Sequence, residues 1–497
     1  MRRHVLEYLE NAAAVWSEAP AFSDESGTLS YAGLRERARS VAAALGGDCL
    51  RCPVAVLCRR DLLSLEAMFG ALYAGGFYVP LDAEMPPARL SGILERLKPA
   101  ALLYAERDAA LAEEYPGRRL PIEAARETPP ELAEPWRGLC DLDPAYVIFT
   151  SGSTGQPKGI VVAQRSVIDF TEWYAELLGC QHTDVLGNQA PFFFDLSVKD
   201  LYLSLKCGAH CVLLPKKCFS FPLLLTRELN ARGVTILSWA TSAFHLVAAS
   251  GILEKDPPRS VRRVTAGGEA MQARLLRRWQ TALPEARIFN LYGPTEATVD
   301  CCYHEITRAY ADGEPVPVGR ACANMEVLLL DEGLDPVPRG EKGELCVRGT
   351  GLALGYYGDP ERSERAFVQN PRTPAYRDLL YRTGDLAYEN EEGLLVFCAR
   401  ADDQIKHNGY RIELGEIERA VYGVAFVREA VCFFDAARDQ IVCLYDGDGG
   451  PKELIAALRR SLPKYMLPNV CKQTAIAHMP NGKPDRRGMR EAYLHGA

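Results

Sequence analysis

The chain has 497 residues, 48% of them apolar and 25% charged, which is material for two or more domains around a large core. Its formal net charge of -8 argues against a nucleic-acid footprint, which needs clustered excess Lys and Arg, but allows a small acidic ligand in a locally basic pocket. Glu7 and Glu10 interrupt the basic start, so no secretory signal is expected, and no run of about 20 apolar residues predicts a membrane span. The 16 cysteines are scattered, many of them in apolar runs such as Val431-Cys432-Phe433. They are expected to be buried free thiols of a reducing cytoplasm rather than a zinc site.

An apolar run at 53–57, helical spacing over 61–74 and a second run at 77–80 after Gly75-Gly76 predict a β-α-β unit. Similar alternation to about residue 300 predicts an α/β fold with largely parallel sheets. Residues 127–144, rich in Pro, Glu and Asp, read as a connection before a strand at 146–149. From Gly319 onwards short runs at 327–330, 343–348 and 394–398 are split by Gly, Pro and Asp, which predicts a small β-rich subdomain. A charged stretch at 400–404 then precedes a compact α+β tail, with helices at 414–422 and 451–460 and strands near 431 and 441. The expected division is a large domain of 1–401 and a small C-terminal domain of 402–497.

The strongest local signal follows the strand at 146–149. Thr150-Ser151-Gly152-Ser153-Thr154-Gly155-Gln156-Pro157-Lys158-Gly159 offers glycines for close backbone approach, successive N–H groups for an anion nest, four hydroxyls and one ammonium. It is a phosphate cradle by composition, and it lacks the Gly-Lys-Ser/Thr ending of a Walker A loop.

This segment resembles the phosphate loop of the adenylate-forming superfamily of acyl-CoA synthetases, luciferases and nonribosomal peptide synthetase adenylation domains. Further motifs recur in the family's order: Leu29-Ser30-Tyr31, Leu72-Tyr73-Ala74-Gly75-Gly76-Phe77, Phe194-Asp195-Leu196-Ser197 and Asn290-Leu291-Tyr292-Gly293-Pro294-Thr295-Glu296. Gly343-Glu344-Leu345, Tyr381-Arg382-Thr383-Gly384-Asp385, Gln404-Ile405-Lys406 with Gly409-Tyr410-Arg411, and Asn481-Gly482-Lys483-Pro484 complete the set.

The resemblance implies ATP and Mg²⁺ as cofactors. Glu296 would hold the Mg²⁺, which takes one or two carboxylates beside phosphate oxygens. Thr295 would bond an α-phosphate oxygen, Tyr292 would offer a flat face to the adenine, Asn290 and Gly293 would also line the ATP site, and Asp385 with Arg400 would hold the ribose. Lys483 would stabilise the charge that develops as a carboxylate attacks the α-phosphorus. Asp402 is the expected hinge between two half-reactions, and Gly409 the expected route of a thiol arm. One departure is Ala399, where the family usually has Gly before the hinge-side Arg.

The resemblance also places Asp195 opposite the α-ammonium of an amino acid, in a pocket of Leu196, Lys199, Ser242, Val264, Ala266, Gly267, Leu291, Val299 and Asp300. Lys199 and Asp300 allow two arrangements. They form a salt bridge that shortens the pocket for a small side chain, or one of them contacts a polar substrate side chain. The expected activity is formation of an aminoacyl-AMP with release of pyrophosphate, then transfer to the phosphopantetheine thiol of a separate carrier protein. The run from Asn188 to Tyr202 is similar to that of stand-alone ligases that load D-alanine onto a carrier, although those have Cys where this chain has Ala266. The alternatives are an acyl-CoA synthetase, in which Asp195 is idle, and a silent nucleotide-binding scaffold. The expected setting is cytoplasmic, with neither nucleic acid nor membrane insertion involved.

Overall fold

The β-α-β unit shows how the sequence makes its core. Pro53–Cys58 and Phe77–Asp82 pair in parallel, with Val54 opposite Tyr78 and Leu57 opposite Leu81. The helix between them, Leu62–Tyr73, starts where the Asp61 carboxylate accepts the Ser64 N–H at 2.9 Å. Such a cap satisfies one of the helix's orphan donors. The helix is buried on nearly every side, so its apolar residues run without a strict stripe.

The computed structural model describes residues 2–130, 134–152, 157–400, 404–479 and 484–495. They form two compact units, one of 1–83, 97–148 and 159–401, the other of 84–96, 149–158 and 402–497. The second unit thus takes in two segments from within the stretch 1–401.

The first unit is mixed α/β. A nine-stranded sheet has six neighbouring strands in parallel, in the order Arg287–Tyr292, Arg263–Gly267, Ile236–Ala240, Val185–Asn188, His210–Leu213 and Pro20–Ser23, with antiparallel strands at both ends. A seven-stranded sheet holds the 53–82 unit at its centre. The expected β-rich part is a five-stranded antiparallel sheet that includes Met325–Leu330, Gly343–Gly349, Leu379–Glu389 and Leu395–Arg400.

In the second unit the helix Leu414–Tyr422 buries Leu414, Ile417 and Val421, three and four residues apart, against a three-stranded sheet of Val427–Asp435, Gln440–Gly447 and Val470–Gln473. A hairpin, Gln404–His407 with Tyr410–Glu413, turns at Asn408 and Gly409.

All sixteen cysteines are free thiols, ten of them buried. Cys49 and Cys52 have the Cys-x-x-Cys spacing found in metal and redox motifs. Burial pushes the Cys49 thiol up to about 11, the opposite of what a reactive or metal-binding thiolate needs. Among the described residues no helix is long and apolar enough to cross a membrane.

Candidate active site

Four neighbouring parallel strands of the nine-stranded sheet deliver the expected site residues at or just beyond their carboxyl ends. Asp195 follows Val185–Asn188, Ser242 follows Ile236–Ala240, Gly267 ends Arg263–Gly267, and Tyr292 ends Arg287–Tyr292. In open α/β sheets that is where ligands bind.

Asp195 stands immediately before the helix Leu196–Cys207 and makes no side-chain cap to it. Burial pushes its carboxyl up to about 6, and Asp300 and Glu296 also raise it, while the neighbouring Thr295 hydroxyl and Lys199 lower it. Thr295, expected at the α-phosphate, therefore lies beside the Asp195 carboxylate in this structure.

Lys199 lies one helical turn after Asp195, and its ammonium is 3.2 Å from Asp300 Oδ2, with side-chain exposures of 0% and 2%. The approach is an ion contact, without a directed hydrogen bond at that nitrogen among the described residues. Leu291 and Val299 belong to the core that contains Leu201 and Phe289, with Gly267 paired to Leu291 in register. Val264 and Ala266 lie on the alternate pleat, in a core with Trp239 and Ile288. Ser242 is half-buried in the first turn of Thr241–Ala249, and Leu196 is half-buried in the first turn of its own helix.

The residues expected on the nucleotide side form a second cluster. Asp385 accepts from the Tyr292 hydroxyl and, at 2.6 Å, from Arg400, which is its cross-strand partner. Its N–H bonds the Thr383 hydroxyl at 3.0 Å. Burial first, and then the adjacent Asp385 charge, push the Tyr292 phenol well up. Asn290 donates to Pro317 O at 2.8 Å, while its own side-chain oxygen is buried without a partner among the described residues. Gly293 is required sterically, since a Cβ there would come within 2.4 Å of Val299 O.

Glu296 is fully buried and accepts from the Tyr356 hydroxyl at 2.8 Å. Tyr356 carries no motif signal of its own, and sequence reasoning missed it.

In the second unit the Ser151 hydroxyl donates to Arg411 O at 2.6 Å, and Arg419 reaches Gly152 O at 3.4 Å. Thr150 is half-buried, with no partner for its hydroxyl among the described residues, and Lys158 is buried at the start of Lys158–Ala163. Asn408 (φ 53°) and Gly409 (φ 81°) are both left-handed, as a two-residue type I′ hairpin turn demands. The turn alone therefore calls for glycine at 409. Ser153, Thr154, Gly155, Asp402 and Lys483 lie outside the described residues.

Residues 9–357 match the family model described as AMP-binding enzyme. The chain belongs to the AMP-binding enzyme family. Bacitracin synthase 1 of Bacillus licheniformis is 33% identical over 95% of this chain and 9% of its own length. Tyrocidine synthase 1 of Brevibacillus parabrevis is 30% identical over 99% of this chain and 45% of its own. The chain thus spans less than half the length of these curated relatives. The structure of holo-PA1221, an NRPS protein containing adenylation and PCP domains bound to a vinylsulfonamide inhibitor, superposes with a TM-score of 0.85 at 25% identity, covering 98% of this chain and 84% of that one. This AMP-binding enzyme therefore has the α/β architecture of the adenylation domains in nonribosomal peptide synthetases.

Proposed function

We propose that this AMP-binding enzyme activates an amino acid with ATP as aminoacyl-AMP, releases pyrophosphate, and passes the aminoacyl group to the phosphopantetheine thiol of a carrier protein. The observation that carries the reading is the half-buried Asp195 carboxylate, which stands at the start of the helix Leu196–Cys207 beside Thr295 and the Lys199–Asp300 pair. A half-buried carboxylate whose charge is disfavoured gains most from a substrate ammonium. The Tyr292–Asp385–Arg400 cluster supports a ribose site, because it holds an acceptor-rich carboxylate in a fixed orientation. Similarity to PA1221, which contains adenylation and PCP domains, supports the carrier.

Lys483 is proposed to place its ammonium against the α-phosphoryl oxygens during the first half-reaction, and Asp402 to be the hinge between the halves. The 1–401 stretch would then bind ATP and amino acid, and the 402–497 stretch would bring Lys483. The Lys199–Asp300 pair supports a short substrate side chain, since the two buried groups already occupy each other.

Among the described residues no group of three or more His, Cys, Asp or Glu side chains is placed to hold a metal. Mg²⁺ needs no such group, since it is bound by one or two carboxylates together with phosphate oxygens and water. Glu296 would hold it, and when bound it would offset charge on the phosphates.

Amino-acid-dependent exchange of pyrophosphate into ATP, run with L and D forms and with des-amino acids, tests the reading. Exchange supported by amino acids is expected. Exchange with des-amino acids alone, together with release of AMP and formation of a CoA thioester when CoA is added, would replace this reading by an acyl-CoA synthetase.

A further inference from the structure

The turn that carries Glu296 is conformationally unfavourable. Thr298 (φ 55°) and Val299 (φ 72°) lie consecutively in the left-handed region, where a β-branched residue is a genuine outlier. Such a conformation persists only where surrounding contacts over-determine it, and it concentrates at functional sites.

Those contacts come from one segment about 55 residues further along the chain, 350–356. Thr298 donates its hydroxyl to Gly351 O at 2.6 Å, Ala353 donates its N–H to Glu296 O at 2.9 Å, and Tyr356 donates its hydroxyl to Glu296 Oε1 at 2.8 Å. The segment is itself anchored. Tyr356 pairs with Ile160 across a strand, its N–H bonds Ser363 Oγ at 2.9 Å, and its ring packs edge-on against Phe367 at 6.0 Å. Ser166 Oγ holds Thr350 O at 2.8 Å. Backbone and side chain of Glu296 are thus gripped by the same strap.

We infer that Tyr356 is a positioning residue that fixes the Glu296 carboxylate in the orientation in which it receives the divalent cation of the nucleotide. This inference rests on the adenylation reading. A neutral phenol is well suited to the task, because its hydrogen bond removes rotational freedom from the carboxylate without cancelling its charge. Groups that orient a metal ligand in this way are commonly worth about 10- to 100-fold in metal affinity.

The test uses the full chain and Mn²⁺ as the probe, with binding read by electron paramagnetic resonance in the presence of a non-hydrolysable ATP analogue. Tyr356→Phe keeps the ring packing and removes only the hydroxyl. It is expected to weaken Mn²⁺ binding about 10-fold or more and to speed amide hydrogen exchange over 294–300, and it should add nothing in a Glu296→Gln background. Unchanged Mn²⁺ affinity, or the same loss in the Glu296→Gln background, overturns the inference. If Tyr356→Phe does not fold, Ser363→Ala loosens the strap by removing the acceptor of the Tyr356 N–H, and leaves the side chains of Tyr356 and Glu296 unchanged. A severalfold loss of Mn²⁺ binding there supports the inference, and wild-type binding overturns it. If the wild-type protein binds no Mn²⁺ with the nucleotide analogue, the adenylation reading fails. Hydrogen exchange then decides alone, with unchanged exchange over 294–300 in Tyr356→Phe counting against the strap.

Discussion

The Lys199 ammonium rests 3.2 Å from an oxygen of Asp300, joining the helix Leu196–Cys207 to the chain just beyond Val299 with almost no solvent on either side chain. Breaking a buried pair leaves one charge without compensation, whereas replacing both partners by apolar residues of similar volume is often neutral. Lys199→Met is therefore expected to lower stability by about 3–5 kcal/mol, and Lys199→Met with Asp300→Leu to restore most of it. Urea denaturation of the three proteins checks this. A double variant no better than the single one would show that Asp300 does not depend on Lys199.

Asp195 sets an expected pH dependence. Its carboxyl is shifted from 3.8 up to about 6, mainly by burial. The folded state thus holds this proton more tightly than the unfolded chain does. The contribution to stability is fullest below pH 3.8 and is lost as the pH rises through about 6. Binding of an ammonium needs the charged form, so amino acid affinity should fall by about tenfold per pH unit below that value. KM for the amino acid in pyrophosphate exchange should show this, and a des-amino analogue should not. Asp195→Ala should abolish the amino acid's advantage over that analogue, which exchange rates for both substrates would reveal.

Lys483→Ala is expected to slow adenylate formation by about 10²–10³-fold, the usual effect of removing one preorganised donor from developing charge. Transfer from a supplied aminoacyl-adenylate should change far less. Single-turnover assays of the two steps distinguish this from a general loss of binding, which would depress both.

Asp402→Pro fixes φ at one backbone position. If rotation at Asp402 separates adenylation from thiol transfer, the substitution should impair one half-reaction much more than the other. Pyrophosphate exchange and carrier loading, measured on the same preparation, provide the comparison. Wild-type rates in both would place the hinge elsewhere.

Periodicity made the local elements legible. Leu414, Ile417 and Val421 announce their helix, and the runs at 53–57 and 77–80 announce parallel strands because both faces of each are covered. The helix Arg486–Leu494 was missed for the converse reason. It buries none of its residues fully and carries Gly488, so no apolar stripe marks it, although Asp485 caps it through the Gly488 N–H. Tyr356 was illegible because its role lies in a contact with Glu296 sixty residues away, and nothing in Gly355-Tyr356-Tyr357 encodes that pairing. Membership of 84–96 and 149–158 in the second unit is likewise a matter of long-range contact. The Asp385–Arg400 pairing, by contrast, follows from two motif residues that fall opposite each other on neighbouring strands.

The hairpin turn at Asn408 and Gly409 separates two explanations that an ordinary substitution would confuse. Any L-residue at 409 must adopt φ near 81°, so loss of thiol transfer in Gly409→Ala would not distinguish a blocked passage from a distorted turn. A mirror-image residue escapes this ambiguity. D-alanine, introduced by joining a synthetic peptide into the tail, favours positive φ and adds only a methyl group. Chirality at one carbon would then tell whether emptiness at 409 serves the turn or the traffic through it.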